Sequence, residues 1–106
     1  METSIFVKTL GNSSQARVIE YLITCMGLPV HQSDVIRNSK VSKVTVMRIW
    51  NEMIENNLLG YDRTIGRAKL YKLNINNPKI KKLIELYNLC LEQEADTGLK
   101  EVEIPV

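Results

Sequence analysis

Val41-Ser42-Lys43-Val44-Thr45-Val46-Met47-Arg48-Ile49-Trp50-Asn51-Glu52-Met53-Ile54-Glu55-Asn56-Asn57-Leu58 reads as one helix with a start, a buried stripe and a stop. Ser42 is a capping residue, because its hydroxyl can accept a bond from one of the first free backbone amides. The helix then runs from about Lys43 to Asn56, with Val46, Ile49 or Trp50, Met53 and Ile54 recurring at spacings of three and four. Asn57 stands where a helix ends in a left-handed residue, and Leu58 follows to pack back onto the core. With that stripe turned inward, Lys43, Val44, Met47, Arg48 and Asn51 lie outward or at the margin.

Working toward the N-terminus, a short helix is predicted from about Gln32 to Asn38, burying Val35 and Ile36. Asn38 and Ser39 close it, since Asn tolerates the left-handed turn conformation. Before it, Ala16, Val18, Ile19, Leu22, Ile23 and Met26 mark one face of a helix over about residues 14 to 26. Asn12 or Ser13 caps that helix, Gly27 supplies a left-handed stop and Pro29 prevents continuation. Ile5-Phe6-Val7 reads as a short, extended start.

Beyond Leu58 the period changes from helix to strand. Leu58 to Thr64 and Ala68 to Leu73 are predicted strands around a turn at Gly66, with Arg63, Arg67 and Lys69 clustered about it. Asn76 or Asn77 then caps a last helix that opens at Pro78 and fades near Glu94. The domain is therefore expected to span residues 1–94, with an acidic tail over 95–106. Within that tail Glu101-Val102-Glu103-Ile104 alternates, as a short strand or a disordered end would. The order helix, helix, helix, strand, strand, helix gives an α+β, mostly α class. It is a winged helix-turn-helix with a three-helix core, a two-stranded wing and a C-terminal helix.

Composition narrows the function. With 44% apolar and 25% charged residues among 106, one ordinary globular core is expected, and no apolar run approaches the length of a membrane span. The N-terminus is a poor signal peptide, so a cytoplasmic location is expected. Net charge is only +2, but the bases gather in the middle of the chain and the acids at its end. Cys25 and Cys90 are far apart in apolar surroundings, which favours packing over a redox pair. With a single His (His31), they form no metal-ligand cluster and no catalytic triad, so no cofactor, no metal and no enzyme activity are expected.

The helix from about 42 to 56 can enter a major groove, which is wide enough for an α-helix. Candidate DNA contacts are Ser42, Lys43, Val44, Thr45, Met47, Arg48 and Asn51 on this helix. Its free N-terminal amides favour a phosphate, Arg48 can reach a guanine edge, and Val44 and Met47 can meet thymine methyls. The wing, about residues 62 to 69, adds Arg63, Arg67 and Lys69 for the backbone or the minor groove. The competing reading makes these residues ordinary solvated surface, or makes the domain a protein–protein interaction module in a larger assembly.

Residues Leu10 to Leu22 also resemble the start of helix one in ArsR-like winged-helix regulators. Val41 to Val46 with Leu58-Leu59 resemble their recognition helix and its exit, and Gly66 to Asn74 with Asn77-Pro78 the wing and helix-four entry of archaeal members. The resemblance covers roughly residues 10 to 92 and implies a dimeric, DNA-binding transcriptional regulator, with repression as its expected role. It does not carry over metal sensing, for which no ligand cluster is visible.

A dimer is also expected from the last helix itself. Eight apolar or aromatic residues fall between Ile80 and Leu91, more than one stripe requires. Ile80, Leu83, Ile84, Tyr87, Cys90 and Leu91 are the candidate contacts with a second copy.

Overall fold

The computed structural model describes residues 3–103, and the side chains of residues 3–95. Five helices and three strands follow in the order α1 (Ile5–Thr9), α2 (Ser14–Thr24), β1 (Val30–His31), α3 (Gln32–Ser39), α4 (Lys43–Glu55), β2 (Leu59–Ile65), β3 (Ala68–Leu73) and α5 (Pro78–Glu103). Helices α2, α3 and α4 form the three-helix core, and the strands make one antiparallel sheet in the order β1-β3-β2. This is the winged helix-turn-helix, α+β and mostly α.

The caps explain where most helices begin. Ser13 accepts from the Ala16 amide, Ser42 from the Thr45 amide, and Asn77 from the Lys79 amide one residue into α5. His31 caps α3: its Nδ1 accepts from the Ser33 amide, while Asp34 accepts from the His31 amide. That reciprocal pair is a capping box with an imidazole in place of the usual hydroxyl. Asn74 and Asn77 both donate their side-chain amides to the Asn57 carbonyl, tying the end of α4 to the start of α5.

Ala16, Val18, Ile19, Leu22, Val35, Val46, Ile49, Trp50, Met53, Leu59, Leu73 and Ile80 share one buried cluster. Both Ile49 and Trp50 point inward, while Ile54, expected with them, lies at the exposed margin. Met26, expected on the inner face of α2, is 87% exposed, because the helix ends at Thr24. Met26 and Gly27 then both take left-handed conformations.

Several expectations are corrected by tertiary packing. Ile5-Phe6-Val7 is helical rather than extended: Ser4 accepts from the Val7 amide, and Phe6 is fully buried, edge-on to Tyr87 of α5 with centroids 5.6 Å apart. The turn after α3 is closed by Lys40 in the left-handed region (φ 61°), in place of Asn38 and Ser39. The strand β1 is an addition, two residues that pair Val30 with Tyr71 and His31 with Leu70. Helix α5 continues past Glu94 to Glu103, so Glu101 to Glu103 are helical and not a strand or a disordered end. Ile104 lies outside the described residues.

Candidate nucleic-acid interface

Three residues join α3 to α4. Left-handed Lys40 reverses the chain, Val41 is buried as the anchor of the turn, and extended Ser42 starts the next helix. Ser42 Oγ accepts from the Thr45 amide at 3.4 Å and donates to Thr45 Oγ1 at 2.9 Å. The cap thus fixes both hydroxyls at the open end of α4, where unpaired amides and the helix dipole favour an anion.

On α4 the two faces separate cleanly. Val46, Ile49, Trp50 and Met53 are buried, and Ser42, Lys43, Val44, Met47, Arg48 and Asn51 are exposed, with Thr45 half-buried. Val44 is 78% exposed, a large apolar area to leave in water at the outermost point of the helix. Arg48 donates Nη1 to Glu52 one turn on, at 2.9 Å. Both partners of that pair are solvated, so it is worth little and yields readily to a competing anion or base edge.

The wing is a hairpin closed by Gly66-Arg67, with Ile65 opposite Ala68. Gly66 has φ 63° and Arg67 does not share the positive φ, as a type II′ turn requires of its two central residues. The pairing slips by one residue between Tyr61 and Arg63, which makes Asp62 the extra residue of a β-bulge. Beyond the bulge every side chain changes face. Tyr61, Tyr71, Thr64 and Lys69 share the side turned to α4, and Arg63, Ile65, Ala68 and Leu70 the other. Tyr61 stacks edge-on against Tyr71, and Tyr71 against Trp50, each pair 5.7 Å between centroids. Tyr61 Oη and Thr64 Oγ1 lie 2.6 Å apart, a hydrogen bond that braces the wing.

Three cations were expected to act together at the wing, and the structure divides them. Arg63 Nε donates to Asp62 Oδ2 at 2.6 Å, and Lys72 Nζ reaches Asp62 Oδ1 at 3.3 Å. The Arg63 guanidinium, aided by Lys72, holds the Asp62 carboxyl below the usual carboxylate range. Among the described residues no hydrogen bond or ion pair holds the side chains of Arg67 or Lys69, and both are exposed. Arg67 and Lys69 are therefore the unneutralised charges of the wing. Asp62 was missed as a member of the site, although its place beside Arg63 in the sequence was a visible signal.

On α5, Ile80 and Cys90 are buried in the chain's own core. Leu83, Ile84 and Tyr87 are half-buried, and Leu91 is 46% exposed. Ile84, Tyr87 and Leu91 line an apolar groove of about 580 Å³ with Ile23, Met26 and Ile75. Leu83 lies instead beside Pro78 and Leu86 on another side of the helix. Burial and the nearby Glu20 and Glu94 carboxylates raise the Tyr87 hydroxyl above its ordinary range, so it stays protonated and uncharged.

No family model matches the chain, and the comparison with curated proteins gives no match either. Solved structures do match in fold. MepR, a transcription regulator of a multidrug efflux pump in Staphylococcus aureus, superposes with a TM-score of 0.61 at 18% identity, over 83% of this chain and 64% of its own. A MepR–DNA complex superposes with a TM-score of 0.56 at 19% identity, over 87% of this chain and 73% of its own. Sso10a-2, a DNA-binding protein from Sulfolobus solfataricus, gives 0.56 at 15% identity, over 89% and 97% of the two chains. The chain thus spans about two thirds of MepR and nearly all of Sso10a-2. At these identities the likeness establishes the winged-helix fold.

Among the described residues no helix is long and apolar enough to cross a membrane, and no three His, Cys, Asp or Glu gather where they could hold a metal ion.

Proposed function

We propose that this protein is a sequence-specific regulator of transcription that binds double-stranded DNA as a homodimer and represses by covering its site. Helix α4 lies in the major groove in this reading, and the hairpin follows the backbone or the adjacent minor groove. One observation carries it: an outward face of α4 with Lys43, Val44, Arg48 and Asn51 exposed, beside a hairpin whose tip cations Arg67 and Lys69 have no partner among the described residues. Phosphate contacts need cations free to leave water, base edges need polar side chains on an exposed helix, and thymine methyls need apolar ones. The DNA-bound MepR neighbour and the DNA-binding Sso10a-2 support the same use of the fold. The ArsR-like pattern over residues 10 to 92 supports a regulator, and a cytoplasmic place goes with it.

Dimerisation in this reading uses α5, through the flank of Ile84, Tyr87 and Leu91 and, on another side of the helix, Leu83. A symmetric pair would present two α4 helices to half-sites about one helical turn apart. Selection of bound sites from random duplexes, read at two salt concentrations, tests the whole reading. An inverted repeat with steep salt dependence is the expected result. Salt-insensitive or absent binding would favour a protein–protein module instead, to which the exposed apolar Val44 and Met47 also lend themselves.

A further inference from the structure

We infer that the wing is a minor-groove wedge: Ile65 enters between two base pairs while Arg67 and Lys69 hold the flanking phosphates, so that bound DNA is bent. This inference rests on the DNA-binding reading above and adds to it how the duplex is deformed.

Ile65 is the last residue of β2, directly before the two-residue turn, and it is 61% exposed. Because the pairing slips at Asp62, Ile65 faces away from Tyr61, Tyr71 and Trp50, the aromatic run that packs the wing against α4. It is absent from the buried cluster and from the residues packed on it. The turn beside it is open, since a Cβ built on Gly66 would meet nothing within 4 Å. A β-branched side chain is stiff about its first torsion, so its direction is set by the hairpin. The result is an exposed apolar side chain on one face of a narrow two-stranded ribbon, with Arg67 in the turn beside it and Lys69 on the opposite face, both without a partner among the described residues.

The chemistry around that point selects its partner. Arg67 and Lys69 complement a polyanion, and a groove about 6 Å wide is too narrow for both strands side by side, so the hairpin meets it by its turn end, where Ile65 stands. The floor of the minor groove presents acceptors, which an isoleucine would desolvate without pairing. In the minor groove, away from the thymine methyls of the major groove, an apolar side chain finds apolar neighbours only between the faces of stacked bases. Wedges of this residue type kink duplexes from the minor-groove side.

The test uses duplexes of about 30 base pairs carrying a donor and an acceptor dye at opposite ends, titrated with the full chain. Energy transfer is expected to rise on saturation with the unaltered protein. With Ile65→Ala the rise should fall below half while affinity drops by about tenfold or less. Ile65→Lys adds a cation but removes the wedge, so binding should persist with the bend lost. Arg67→Ala should weaken binding yet keep the bend once saturated. The inference is overturned if the unaltered protein saturates the duplex without a change in transfer, or if Ile65→Ala and Ile65→Lys bend it fully. Absence of any binding would overturn the DNA-binding reading itself, and the wedge with it.

Discussion

Asp62 shows how one side chain sets what its neighbours can do. It draws Arg63 and Lys72 onto itself and lowers the positive potential of the wing just behind the tip. Asp62→Ala should therefore raise DNA affinity and steepen its dependence on salt by about one counterion, as read by anisotropy across a salt series. The acid behaviour has a definite sign. The folded carboxyl titrates lower than an unfolded one near pH 3.9, so its support for the hairpin is complete above that value. The support is lost as pH falls through the lower folded value, and hairpin-specific acid loosening should be absent in Asp62→Ala. Arg48 makes a different prediction: Arg48→Ala should relax preference at one base position at a cost of about 1–3 kcal/mol, measured by repeating the site selection. Uniform weakening across sequences would make Arg48 a phosphate contact instead. Two left-handed residues with the same φ of 61° mark the limit of legibility at this scale. Asn57 was legible because its side-chain type tolerates that conformation; Lys40 was not, because lysine has no such preference and tertiary demand alone places it there.

At the scale of elements, caps were easier to read than faces. Ser13 and Ser42 stand where hydroxyls before apolar periodicity belong, and both make the expected bonds. Ser42→Ala should cost about 1 kcal/mol in chemical denaturation, because it leaves the Thr45 amide without its acceptor. The faces of β2 were illegible for a physical reason. A bulge inserts one residue without any sequence mark, so alternation read from Leu59 assigns Arg63 and Ile65 to the side of Tyr61, and the slip at Asp62 reverses them. Two other elements escaped for lack of length. Val30-His31 is too short to show a period, and Ile5-Phe6-Val7 has strand-prone residues whose burial against α5 overrides local preference.

For the whole molecule, the question is what covers α5. The excess of apolar residues on this helix was read as demand for a second copy, and part of that demand is met within the chain. Phe6 of α1 packs on Tyr87, and the Ile5 amide donates to Glu94 at 3.3 Å. Among the described residues, the flank with Leu91, Ile84 and the groove toward Met26 and Ile75 remains uncovered, as do exposed Leu89 and the side with Leu83 and Leu86. If that flank pairs two copies, Leu91→Lys should turn a dimer into a monomer in sedimentation with little loss of thermal stability, since Leu91 adds little to the chain's own core. A monomer at micromolar concentration without any substitution would remove the dimer from the proposal. The three-helix core and the wing were legible because each has a clear period and punctuation. The role of α1 was not, since it depends on a contact between residues some eighty positions apart.

The aromatic run beneath the wing has an optical consequence. Trp50 is the sole tryptophan, buried where α4 meets the sheet, with Tyr71 and then Tyr61 stepping outward from it. Tyrosine emission overlaps indole absorption, so light taken up along the hairpin should reappear as blue-shifted emission from one site. The protein carries its own fluorophore at the joint between α4 and the hairpin. Any partner that shifts the hairpin against that helix should change the emission with no added label.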